Sequence, residues 1–104
     1  MAELQVVARY TIAPGNEDEV LALVSRLAEA SRAEPGNRSF VAYRRLDDGR
    51  EIVLLERYAS PGAFAEHRES PHFEDLVLGR IVPLLERREV ETFDVEDQRD
   101  RRTA

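Results

Sequence analysis

Both histidines of this chain, His67 and His72, fall between Glu56 and Phe73, a stretch that also carries Tyr58, Phe64 and Phe73 and crosses a strand-to-helix junction. Imidazole is the one side chain whose ordinary pKa, roughly 6.5, lets it accept and release protons near neutral pH. Phe64 and His67 are three apart and share a helical face, so an inward-looking face would let His67 meet a substrate hydroxyl as general base. The competing reading is structural: the ring packs on Phe64 while a nitrogen bonds a carboxylate such as Glu56. His72, at a helix start, either caps and packs or reaches the substrate, and its protonation there opposes the helix dipole. Glu56 and Tyr58 share a strand face with Ile52 and Leu54. An ionisable group in that company is paired with an arginine such as Arg9 or poised for proton transfer. Phe40, Tyr43 and Phe73 are core or pocket wall.

Other chemistries are excluded by what the chain lacks. With no cysteine there are no disulfides, thiolate zinc sites or thiol nucleophiles. All fifteen basic residues are arginine, so a lysine Schiff base is ruled out. The five glycines are dispersed and form neither a dinucleotide fingerprint nor a phosphate loop, so no flavin or nicotinamide cofactor is expected. His67 and His72 are five apart with Pro71 between them, not four apart on one helical face, so no metal site is expected. A net charge of -6 with basic residues scattered among acids argues against a nucleic-acid partner. The amino terminus has no basic-then-apolar leader and no apolar run reaches eighteen residues, which points to a cytoplasmic protein without a membrane partner.

The elements that must position these residues follow from periodicity. Leu4 to Ile12 alternates as a strand, and Pro14-Gly15 ends it. Asn16 and Glu19 form a capping-box-like start to a helix whose stripe is Val20, Leu23, Val24, Leu27, Ala28 and Ser31. Glu34-Pro35-Gly36-Asn37 is a turn. Arg38 to Leu46 and Glu51 to Ala59 make a hairpin around Asp47-Asp48-Gly49-Arg50. Ser60 caps a short helix with Pro61 at its first position, and Ser70-Pro71 interrupts it. A third helix starts near His72, with Phe73, Leu76, Val77 and Ile81 on one side, and Pro83 kinks or ends it. Arg88 to Glu96 is a last strand, and Asp97 to Ala104 has the composition of a solvated tail.

The order βαββααβ, at 104 residues, predicts one α+β domain over residues 1–96, with helices on one face of an antiparallel sheet. Ile52, Leu54 and Tyr58 occupy one side of the third strand and Val53 and Leu55 the other, so both sheet faces ask for cover. Helices can supply only one cover. A second copy of the chain across a two-fold axis supplies the other, which predicts a homodimer.

Pro14-Gly15, then Ser31 to Asn37, then Glu56-Arg57-Tyr58 followed by Phe64, His67, Ser70, His72 and Phe73, resemble the landmarks of the antibiotic biosynthesis monooxygenase domain family over about residues 4 to 96. The resemblance implies a dimeric α+β barrel of ferredoxin-like subunits, with a pocket between sheet and helices in each. It also implies cofactor-free oxygenation, in which a quinol or phenol is deprotonated and its anion reduces dioxygen. A haem-degrading branch of the family uses an asparagine, a tryptophan and a histidine where this chain has Ala8, His67 and Val77, so haem chemistry is disfavoured. Relatives often carry tryptophan where Tyr58 stands. Three functions remain open: a monooxygenase acting on a planar phenolic or quinol substrate, with His67 as base and Tyr58 or Glu56 orienting; an isomerase of a small metabolite; and a non-catalytic small-molecule-binding dimer.

Overall fold

The computed structural model describes residues 2–95, so the tail expected over Asp97 to Ala104 and the domain limit at 96 lie outside the described residues. Strand β1 (Glu3–Ile12) alternates as its sequence requires, burying Leu4, Val6, Ala8, Tyr10 and Ile12 on one side. Helix α1 (Glu17–Arg32) buries the stripe from Val20 to Ser31 against that side. Each fully covered Val or Leu there contributes roughly 1.5–3 kcal/mol relative to exposure. The capping box at its start does not form, because the Asn16 amide turns to the Leu84 carbonyl instead. Glu17 reaches back to accept from the Gly15 N–H at 2.9 Å, so a first-turn carboxylate still covers the chain entry.

Strands β2 (Asn37–Arg44) and β3 (Glu51–Tyr58) form the expected hairpin. The first ends two residues before Leu46, where Arg45 leaves the ladder for Asp47 and Glu51. Helix α2 (Pro61–Arg68) starts as predicted, the Ser60 hydroxyl accepting from the Ala63 N–H at 3.1 Å. The third helix, Phe73–Ile81, presents the predicted apolar side but is wound as a π-helix rather than an α-helix. Its last bond runs from the Val82 N–H to the Val77 carbonyl, and Pro83 closes it with one 3₁₀ turn over Val82–Leu84. Strand β4 (Leu85–Val95) therefore begins three residues earlier than expected.

The sheet is antiparallel in the order β2-β3-β1-β4, with the helices on one face, a ferredoxin-like α+β arrangement. Its other face carries Val7, Val41, Tyr43, Val53, Leu55 and Phe93, of which Tyr43 and Phe93 are half exposed. That face also holds Arg57 bridging Glu3 and Gln5, and Arg9 paired with Glu91. Among the described residues no helix is long and apolar enough to cross a membrane.

Candidate active site

The strand and helix caps converge on His67. Two turns beyond the Ser60 cap, its imidazole is 2% exposed and ringed by Phe40, Tyr58, Phe64 and Phe73, all with ring centroids within 6.2 Å. Phe64 stacks on it at 17°, as the three-residue spacing predicts. Its Nδ1 lies 2.8 Å from Glu34 Oε2, and Nε2 lies 3.9 Å from Glu56 Oε1. A carboxylate can only accept, so Nδ1 carries the proton toward Glu34 and Nε2 is left with the free lone pair of the neutral ring. Burial holds the imidazole below its ordinary 6.5, outweighing the opposing pull of Glu34, so the ring is neutral at pH 7.

Glu56 sits beside it at 5% exposure and accepts from the Tyr58 hydroxyl at 2.6 Å. Burial pushes its carboxyl up to about 7, although the Tyr58 bond and the Arg88 charge pull the other way. Burial and the adjoining carboxylate also raise the Tyr58 phenol. The expected pairing of Glu56 with Arg9 does not occur. Glu56 stands opposite Val6 on the helix side, whereas Arg9 projects to the open side and pairs with Glu91.

A cavity of about 270 Å³ opens in front of these groups, between α1, α2, the π-helix and strands β1 and β4. Its apolar wall includes Val6, Ala8, Phe64, Phe73, Val77 and Val90, and its polar groups include Glu56, His67, Arg68, Arg88 and Thr92. Of the eight residues singled out from sequence, His67, Glu56, Phe64 and Phe73 line this space, whereas Tyr43, expected as core or pocket wall, is an exposed residue of the opposite sheet face, because it pairs with Val53 rather than with the inward set. Tyr58, His72 and Phe40 stand behind it: Tyr58 bonds Glu56, His72 reaches Glu34, and Phe40 packs on the His67 ring.

Glu34 escaped the sequence reading because it looked like one residue of a turn. A signal existed, since an acid just past a helix C-terminus is unfavourable unless paired. Its Oε2 accepts from His67 and also lies 2.5 Å from His72 Nε2. Two imidazole nitrogens and a carboxylate oxygen within 4.8 Å of one another are donor types that bind zinc or iron. These separations are those of hydrogen bonds sharing one oxygen. Ligand atoms held tetrahedrally at about 2.0 Å from an ion stand roughly 3.3 Å apart. In this arrangement the cluster acts as a hydrogen-bonded support for His67.

The family model described as antibiotic biosynthesis monooxygenase matches residues 4–77. Rv0793 of Mycobacterium tuberculosis, named provisionally as a monooxygenase, is 43% identical over 68 residues, or 65% of this chain and 66% of that protein, just under two thirds of its length. Its solved structure superposes with a TM-score of 0.86 at 34% identity, covering 94% of this chain and 99% of that one. YcnE of Bacillus subtilis, also named provisionally as a monooxygenase, is 29% identical over 70 residues, 67% of this chain and 74% of its own. A solved antibiotic biosynthesis monooxygenase superposes with a TM-score of 0.84 at 27% identity, covering 90% of this chain and 99% of that chain.

Proposed function

Because this chain belongs to the antibiotic biosynthesis monooxygenase family, we propose that its helix-side cavity oxidises a small planar phenol or quinol with dioxygen, His67 taking the hydroxyl proton. The observation that carries this reading is the orientation of His67. Its Nδ1–H is spent on Glu34, its basic Nε2 lies 3.9 Å from Glu56 Oε1, and the residue lines a partly apolar cavity. Removing the hydroxyl proton leaves an electron-rich ring anion, and the electrons that reduce dioxygen come from that ring. The chain's tasks are then to hold the ring, take the proton and exclude water. About 270 Å³ lies just below the roughly 300–1,000 Å³ usual for ligand pockets, which favours a substrate of one or two rings.

The test is oxygen uptake on a panel of one- and two-ring phenols and quinols, without added cofactor, by wild type and His67→Gln. The reading expects uptake with an acid limb as His67 is protonated, and loss of about 100-fold or more in the variant. Equal rates in a folded His67→Gln protein would overturn it. Glu56 favours a second reading. A carboxyl at about 7 beside an imidazole base is a pair able to give and take protons, which an isomerase of a small metabolite requires. Turnover under argon would select that alternative.

The partner on the open sheet face is a second copy of this chain. Val41, Leu55 and Phe93 form an apolar centre there, flanked by the Arg9–Glu91 and Arg57–Glu3 pairs, and a two-fold axis lets such a mixed surface complement itself. Sedimentation should find wild type dimeric and Leu55→Arg monomeric with its fold intact. A wild-type monomer at all concentrations would refute the pairing.

A further inference from the structure

Arg68 and Arg88 are the two arginines that line the cavity, one from the last turn of α2 and one from β4. Seven arginines elsewhere have a carboxylate within 4 Å, Arg57 and Arg80 among them. Arg68 and Arg88 have none among the described residues. Arg68 instead lies over the Phe64 ring, 5.8 Å from its centroid, which sets its guanidinium beside the apolar wall. Arg88 stands opposite Tyr10 in the β1–β4 ladder and so projects to the helix side, toward the cavity. Both side chains are exposed, and they also line a more open depression with Ala65, Glu69, Phe73 and Leu78, where Glu69 is the one acid, with no ion pair to either arginine within 4 Å. The two cationic forks therefore belong to the mouth, while His67 and Glu56 are the buried groups deeper in. Arg26, Arg32 and Arg44 also have no carboxylate within 4 Å among the described residues, but Arg68 and Arg88 are the two that share this opening, and two guanidiniums side by side at an apolar-walled cavity suit an anionic ligand.

We propose that the substrate is a small aromatic acid, an apolar ring carrying a carboxylate or phosphate that Arg68 and Arg88 clamp at the mouth while the opposite end of the ring faces His67. The inference rests on the cavity being the substrate site, and it adds the chemical class of what enters. The clamp fixes which end goes in first. With the anion held outside by forks matched to an oxyanion, a hydroxyl across the ring is directed to the buried base. The floor does not repel such a guest, because the Glu56 carboxyl is largely kept from full charge by its burial.

The test is an anaerobic calorimetric titration with para-hydroxybenzoate and phenyl phosphate, each compared with a neutral counterpart, para-hydroxybenzamide and phenol. An acid should bind about tenfold or more tightly than its counterpart, and the arm that does so identifies carboxylate or phosphate as the preferred oxyanion. Arg68→Gln and Arg88→Gln should each lower that affinity about tenfold while leaving the neutral compounds within about twofold. Arg80→Gln, whose guanidinium is paired with Asp75 outside the cavity, should change nothing. Equal affinity for acid and neutral compound, including no binding by either, overturns the proposal. So does a loss in the variants that is the same for both. Since no turnover is measured, the clamp can fail while oxygen uptake stands, or survive if uptake is absent.

Discussion

Glu56 is the residue through which pH should act on this protein. Its folded carboxyl sits at about 7 against an ordinary 4.5, so between those values the folded state keeps a proton that the unfolded chain has released. The stability this contributes is complete below pH 4.5 and is lost as pH rises through 7, an amount of up to roughly 3 kcal/mol. His67 works in the opposite sense: its folded value is lowered, so its effect is loss of stability as pH falls below 6.5. Urea unfolding at pH 5 and pH 8 should show Glu56→Gln losing much less stability over that interval than wild type. Parallel pH dependence in the two proteins would contradict the burial account. Alternation along the third strand was enough to place Glu56 among apolar neighbours. The shared face with Tyr58, two residues along the same strand, was legible too, but not the choice between that neighbour and an arginine, because period-two patterning assigns a face and not which side chains bond on it. The partner proved to be Tyr58 rather than Arg9. Glu34 was hidden for a related reason, since its partners lie 33 and 38 positions away in sequence.

Helix α2 is short, and its placement decides where His67 points. The turn after α1 holds it closely: a Cβ added to Gly36 would stand 2.5 Å from Ala63 Cβ, and the Gly36 carbonyl accepts from the Ala59 N–H at 2.9 Å. Gly36→Ala should push α2 outward, cost about 1–3 kcal/mol in chemical denaturation, and weaken ligand binding at the cavity through the displaced imidazole. Adding Ala63→Gly should recover most of both losses, and no recovery would mean the contact is not what positions the helix. The caps of α2 were plain in Ser60-Pro61, because capping is local chemistry. The winding of the third helix was not. Phe73, Val77 and Ile81 recur every four residues, a spacing that serves an α-helix or the wider π turn equally well. Only the ladder, ending in the Val82–Val77 bond ahead of Pro83, distinguishes them.

The molecule as a whole is a two-layer plate with different faces. Helices cover Leu4, Val6, Ala8, Tyr10 and Ile12, while Val41, Leu55 and Phe93 on the reverse are left partly exposed by the described residues. That division was readable from Ile52 to Tyr58, where both alternating sets contain apolar residues. The cavity was not, because its volume depends on how α2 and the π-helix lean on β1 and β4, and Arg88 gains its orientation only from register with Tyr10. The account assigns the helical face to a guest molecule and the bare face to a second copy. The most direct test is an amide-resolved NMR titration of the full chain with para-hydroxybenzoate. Shifts should cluster at Ala8, Phe64, His67, Phe73, Val77 and Val90 and leave Val41, Tyr43, Leu55 and Phe93 in place. Shifts confined to the bare face, with His67 unmoved, would contradict it.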